Sequence, residues 1–510
     1  MLGSFFLGRQ GMVGMNRLGM MATCFSVASL FAYHPSFTAP YSMPKLAILA
    51  IGLAVMSTAV IGGVQVDSGR PLMANGFIML GVCLVSALFA KDKWLAFAGN
   101  HNSYALGLLG ITISFCYHIA AAGGKPNGII PLAGAIMGIH GFAQWAGFDA
   151  SISSQITGNR AIGTIGSPVF LGTILGVIMP LAIEKSWTYA LAVSLGLMAT
   201  GSRGAWIAAV IGILAYGYKT GNKRTLIHAS IIGLLAFYFY GNRPYMRSDL
   251  ERIATWKTAV HAANERPLVG VGPDGFGNSY RLYRSELNGN DIAEDAHNDI
   301  LQAAATIGYP GLLTYLALVF VAFTSVTAPA FGAVTVAFIN AKANPLPLEV
   351  IVLLAVIVGL YSNRDSVHAE VPTWVLSILA VITIVIIGTV SRMALADHVA
   401  KTGDIGSLAR ACELNPFELS YKTSLVNRGL KEMVSPNSIE WKEKVMAVLR
   451  KESDMAIRLR PSASTSWHIA AFVSRIDNKI GLKSNPAAYL NKALEIDPSS
   501  EQLIALKKRL

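Results

Sequence analysis

Apolar runs of about 15 to 20 residues recur from the N-terminus to about Val390, separated by short polar turns; a charged, mixed sequence then runs to Leu510. A bilayer core takes roughly 20 helical residues at ~1.5 Å each. The runs therefore predict membrane-spanning helices at 18–33, 44–62, 72–90, 103–122, 128–147, 167–183, 187–200, 204–218, 225–240, 310–327, 348–362 and 373–391. The ~10-residue alternating segments of a membrane barrel do not occur. One long polar segment, Gly241 to Asp295, interrupts the series. Within it, Ile253, Trp256, Val260 and Ala263 recur at helical spacing, predicting a helix over Leu250 to Ala263 that Arg266-Pro267 ends. Gly270 to Gly277 reads as a tight glycine-rich turn. It lacks the Gly-Lys-Ser/Thr ending and the preceding strand of a phosphate loop, so a structural turn is the better reading. After it, Ile300, Leu301, Ala304 and Ile307 form one apolar face, followed by Gly308 and Pro310. This predicts a short surface helix with His297 in its first turn or two, then a kink, then a span.

The pattern defines an all-α, polytopic membrane protein of about twelve transmembrane helices. Residues 1–240 hold the first nine, 241–297 form a large non-cytoplasmic loop, 298–392 hold the remaining spans, and 393–510 form a separate helical domain. In that tail Ala411–Pro416, Ala456–Pro461 and Ala493–Pro498 share one pattern: Ala, an aliphatic residue three later, Pro two after that. This resembles the end of a tetratricopeptide helix and predicts a degenerate, TPR-like helical-repeat domain suited to a protein partner. Residues 329–341 are apolar but short for a span. Twelve spans put the tail in the cytoplasm and thirteen put it outside; twelve is preferred.

Composition sharpens this picture. The chain is 53% hydrophobic and 14% charged, against roughly a quarter charged in soluble domains. The net charge of +12 fits loop and tail Lys/Arg beside anionic lipid headgroups rather than nucleic acid. Cys24, Cys83 and Cys116 lie in apolar runs and Cys412 in the tail, with no metal or disulfide spacing. Arg9 and Arg17, and Lys219, Lys223 and Arg224, mark cytoplasmic ends by the positive-inside rule. Counting spans from them puts Arg160, the Gly201–Gly204 turn with Arg203, and the large loop on the non-cytoplasmic side. Lys91 and Lys93 fall on that side too, against the rule.

The candidate chemistry lies on that face. His297 is flanked by Glu294, Asp295 and Asp299, any of which would orient its ring. A histidine titrating near 6.5 can take a proton from a hydroxyl at neutral pH. A lone histidine at a helix start is more often structural, and the carboxylates and the loop–membrane position are what raise it. Arg160, Arg203 and Arg252 offer planar forks for phosphate, weighed against the ordinary role of headgroup anchors. Arg243, Arg247, Arg281 and Arg284 are weaker candidates.

These residues resemble the O-antigen ligase and polymerase superfamily of bacterial envelope proteins. His297-Asn298, nine residues and Gly308-Tyr-Pro-Gly311 resemble the family's signature. Arg252-x-x-x-Trp256 with Gly270-Val-Gly272, Ser202-Arg203-Gly204-Ala-Trp206 and Arg160-x-x-Gly163-Thr164 resemble its upstream segments. The resemblance implies a metal-independent, inverting glycosyltransferase without a cofactor, in the bacterial inner membrane with its site facing the periplasm. The implied donor is a glycan on undecaprenyl pyrophosphate. The implied acceptor is a glycan, lipid A–core or a protein hydroxyl. By the same resemblance His297 is the general base, supported by Asp295 and Asn298. Arg203 and Arg252 hold the pyrophosphate, Arg160 assists, and an apolar groove between spans takes the polyprenyl chain. Ligase or polymerase ranks first; protein O-oligosaccharyltransferase is the alternative, because the tail departs from the simplest ligases. A lipid-linked glycan transporter is more distant, since the spans are poor in polar residues beyond His118 and His140. A scaffold acting through its tail is a third class.

Overall fold

The computed structural model describes residues 2–61, 71–148, 160–233 except 224, 228 and 231, 248–283, 293–362, 373–434, 438–479, 485–498 and 500–508. Among the described residues every regular element is a helix, with one isolated bridge between Val326 and Ser362. The first nine helices are α1 (Leu2–Phe31), α2 (Ser42–Ile61), α3 (Pro71–Phe89), α4 (Lys93–Ala98), α5 (Leu108–Ala121), α6 (Ile129–Trp145), α7 (Pro168–Lys185), α8 (Trp187–Thr200) and α9 (Arg203–Thr220). The polar segment contributes α10 (Ser248–Glu265) and α11 (Phe276–Tyr283). Apolar helices follow as α12 (Asp299–Ser325), α13 (Ala328–Asn340), α14 (Leu348–Leu360) and α15 (Thr373–Ala400). The tail holds α16 (Ile405–Leu414), α17 (Leu419–Val434), α18 (Ile439–Leu459), α19 (Ser464–Lys479), α20 (Pro486–Ile496) and α21 (Glu501–Lys508).

Among the described residues, five helices are long and apolar enough to cross a membrane: Ser42–Ile61, Leu72–Phe89, Pro168–Lys185, Asp299–Ser325 and Ala380–Ala400. Shorter apolar helices, α5, α6, α8, α13 and α14, pack among them. Most of the expected span 225–240 lies outside the described residues, as do Arg243, Arg247 and Arg284. Large apolar side chains face outward on the long helices, including Phe77, Leu88, Leu313, Phe320 and Ile384. An outer surface of this kind is stable against lipid rather than water. Inside the bundle, small residues set the spacing. A Cβ on Gly196 of α8 would lie 2.4 Å from Gly138 Cα of α6, so these two helices touch backbone to backbone.

The tail forms helix pairs α16/α17, α18/α19 and α20/α21. The alanines of the three sequence units, Ala411, Ala456 and Ala493, are fully buried, and each carbonyl accepts the N–H of the residue four later, at the helix end. α15 runs unbroken across the expected boundary at 392.

The twelve-span count puts the tail and the His297 loop on opposite sides, but the tail's contacts bring the two together. The buried Arg460 donates to Asp92 Oδ2 from Nε at 2.9 Å and Nη2 at 2.5 Å. Phe417 stacks on Trp94 with ring centres 4.8 Å apart. His101 Nε2 lies 3.1 Å from Asp397, which also accepts from Tyr421. The Asn100 N–H donates to Asp274 of the glycine-rich turn, and α20 packs on α11. The tail thus sits on the 90–107 connection, on the same face as the loop that carries His297. The short helix α13, left out of the count of twelve, is the element whose inclusion reverses the parity.

Candidate functional site

The site is built where α12 breaks. Gly308 adopts φ 72°, ψ 179° inside α12, a conformation essentially confined to glycine. The break removes Tyr309 N–H from the helix ladder, and Pro310 has none to give. The carbonyls of Ala305 and Thr306 are left open as acceptors. The glycine-rich turn fills them: Val271 N–H donates to Ala305 O at 3.0 Å and Gly272 N–H to Thr306 O at 2.9 Å, while Tyr309 N–H turns to Pro267 O at 2.7 Å. Ser86 Oγ adds a second bond to Thr306 O at 2.9 Å. The turn is therefore structural, and it fixes the upper half of α12.

At the head of α12, Asn298 is the N-cap, its Oδ1 accepting from Ile300 N–H at 3.1 Å and Leu301 N–H at 3.2 Å. His297 precedes the cap with φ 48°, so it stands outside the helix, correcting its expected place in the first turn or two. A left-handed φ on a non-glycine residue is strained, and side chains hold it. Asp295 Oδ1 accepts from His297 N–H at 2.8 Å and lies 3.2 Å from its Nδ1. Gln302 Oε1 accepts from Ala296 N–H at 2.8 Å. Of the three flanking carboxylates, Asp295 is the one against the ring. Glu294 pairs with Arg281 at 3.2 Å, and Asp299 is taken by Lys342 and Tyr315.

Asp295, His297, Asn298 and Asp299 line the polar end of a cavity of about 350 Å³. Its remainder is almost wholly apolar, running down between α3, α5, α12, α13 and α14 past residues such as Met79, Phe115, Leu354 and Val358. His118 lies at its depth, with Nδ1 3.1 Å from Ala355 O.

Residues 188–316 match the family model for O-Antigen ligase. This stretch is similar to that family. This match supports the O-antigen ligase/polymerase superfamily and a membrane enzyme of the glycosyltransferase or ligase type. With the apolar helices it makes the chain a multi-pass membrane protein. A comparison with curated proteins returned no match.

Within the matched stretch lie Arg203, Arg252, Asp295, His297 and Asn298; Arg160 precedes it. Arg203 is the first residue of α9 and exposed. Arg160 donates from Nε to Thr200 O at 2.8 Å, so it rests on the same turn. The next residue, Gly204, faces Asn344, which lines the cavity. Arg252 is half-buried on α10. Tyr309 Oη donates to Asn264 Oδ1 at 2.6 Å, and α10 packs through Ala259 and Ala262 around Ala296, Leu301 and Ala305. Ala259 and Ala262 come before Asn264 on α10 and meet residues that precede Tyr309, so α10 runs parallel to the upper half of α12 and Arg252 lies toward the His297 end. None of the three arginines lines the cavity itself.

Sequence reasoning missed Gln302, Lys342 and Asn344. Lys342 is the one charged residue between Val326 and Leu348, which was its available signal. Its ammonium lies 3.8 Å from the Phe338 ring centre and on Asp299, and burial lowers its pKa against the pull of Asp299. Burial pushes the Asp274 carboxyl up to about 7; the Asn100 amide opposes this, and Glu294 and Asp295 add to it. Among the described residues no three His, Cys, Asp or Glu side chains cluster as metal ligands would.

Proposed function

We propose that the protein transfers a glycan from undecaprenyl pyrophosphate to an acceptor hydroxyl, as an O-antigen ligase or polysaccharide polymerase. The observation that carries this reading is one continuous cavity with an apolar body and His297 with Asp295 at its polar end. The apolar body suits the proximal part of a polyprenyl chain. The polar end then faces the bond to be broken. In this reading a small turn of the ring converts the 3.2 Å contact between Asp295 and Nδ1 into a hydrogen bond, leaving Nε2 for the acceptor. The acceptor O–H gives its proton to Nε2, and the oxygen attacks the sugar's anomeric carbon opposite the pyrophosphate. The carbon–oxygen bond to pyrophosphate breaks, the configuration inverts, and the electron pair leaves on the lipid. Arg203 and Arg252, with Arg160 beside Arg203, stabilise that charge. In this reading the site faces the periplasm from the inner membrane.

A second reading, protein O-oligosaccharyltransferase, is favoured by one observation: α20 of the tail packs on α11, next to the site. A helical-repeat surface there suits a polypeptide acceptor.

Purified protein is given radiolabelled undecaprenyl-pyrophosphate glycan with lipid A–core, with a pilin-like protein, or with no added acceptor. Label moving to lipid A–core supports the ligase, label on protein the second reading, and longer lipid-linked chains the polymerase. His297→Ala is expected to lose transfer by roughly 10²–10⁴-fold while still inserting and folding. Equal activity of wild type and His297→Ala overturns the assignment of the base.

A further inference from the structure

Gln302 is 7% exposed and lines the cavity one helical turn below Asn298. Its amide is fixed in orientation. Oε1 accepts from Ala296 N–H at 2.8 Å, and a flipped amide would set two donors against each other. Nε2 is therefore forced to the opposite side, where it is buried and has no protein partner. A buried amide donor left without an acceptor is costly, so such a group calls for a partner from outside the chain. Gln302 also lies between the apolar body of the cavity and His297. With a lipid chain in the body and the reacting sugar at His297, the group level with Gln302 is the phosphate that joins them.

From this geometry we infer that Gln302 Nε2 is a hydrogen-bond donor to a phosphate oxygen of a polyprenyl pyrophosphate bound in this cavity. The inference rests on the proposed function and adds the residue that reads the phosphate inside the cavity, which none of the three arginines lines. One side chain then serves twice. Its oxygen braces the turn that carries His297, and its nitrogen fixes how far the lipid headgroup rises toward that histidine.

Two substitutions separate the roles. Gln302→Glu keeps an oxygen for Ala296 N–H but replaces the donor by an acceptor. Gln302→Met removes both. The probes are undecaprenyl pyrophosphate and undecaprenol, with binding measured on the full-length protein in nanodiscs. Thermal unfolding of each variant is followed in parallel. Both variants are expected to bind undecaprenyl pyrophosphate about tenfold or more weakly than wild type, with undecaprenol binding unchanged. Wild-type affinity in Gln302→Glu overturns the proposal, leaving Gln302 a brace for the turn; so does equal weakening toward undecaprenol, which marks a general loss of the cavity. Failure of wild type to prefer the pyrophosphate over the alcohol removes the proposed function and this inference together.

Discussion

Substituting Arg460 by Met is expected to loosen the whole tail from the membrane domain. Arg460 and Asp92 are 9% and 6% exposed, and two guanidinium nitrogens meet one carboxylate oxygen at 2.9 and 2.5 Å. Removing one partner strands the other charge in a dry interface, which costs about 3–5 kcal/mol. Converted at 1.4 kcal/mol per tenfold, the undocked population rises between about a hundredfold and a few thousandfold. Hydrogen exchange on α16 and α17, and protease access to residues 405–434, report that opening. Asp92→Asn should act in the same direction, since the α4 cap through Oδ1 survives (Leu95 N–H at 3.1 Å) while the charge is lost. The double variant Asp92→Asn with Arg460→Met should recover most of the protection, because neither charge is then stranded. Unchanged exchange in Arg460→Met, or additive losses in the double variant, would refute the tether and with it the tail's place on the His297 face.

Three further outcomes follow from the same geometry. Asp274→Asn should stabilise the protein above neutral pH. The folded carboxyl is raised from 3.8 to about 7, so its contribution is full below the unfolded value and falls away between there and about 7, a loss on the order of 4 kcal/mol; Tm profiles should separate variant from wild type increasingly from about pH 4 to 7 and then keep a constant gap. Gly308→Ala should lower Tm and transfer together, since φ 72°, ψ 179° costs a residue with a Cβ about 1–3 kcal/mol and that Cβ would sit 2.7 Å from the Leu268 backbone; normal Tm would discount the strain. Docking of the tail should weaken as pH rises well above 6.5. Burial opposes the His101 cation, but Asp397 and Glu418 outweigh it and raise its pKa, so the stability is complete below the unfolded value and fades through the raised one; in His101→Gln the tail's exchange should lose this pH dependence.

Where one segment's own pattern decides the structure, the sequence could be read. The existence of α10, the apolar face of α12, the break at Gly308-Tyr-Pro, and the helix ends at Ala411, Ala456 and Ala493 all follow from period, proline and glycine; the face of α10 does not, since it buries Ala259 and Ala262 and leaves Ile253 and Val260 exposed. His297 beside Asp295 is likewise local. What could not be read depends on partners far along the chain. Gln302 looks like any polar position on a helix until Ala296 folds back on it. Lys342 gains meaning only because Asp299 lies against the end of α13, with Asp299 N–H on Ala341 O at 3.1 Å. The tail's place beside the loop could not be read because span counting turned on one short helix, whereas the deciding contacts are Arg460 with Asp92 and Asp397 with His101.

The break in α12 also separates two mechanical references. Residues 309–325 belong to the bilayer, and their tilt will follow its thickness, as hydrophobic helices adjust to mismatch. Residues 299–307 are pinned to the extramembrane layer instead, by the turn at Val271 and Gly272 and by Ala341. A thinner or thicker membrane would then swing the lower half about Gly308 while His297 keeps its distance from the loop. The same protein could work in bilayers of different lipid composition without re-aiming its histidine.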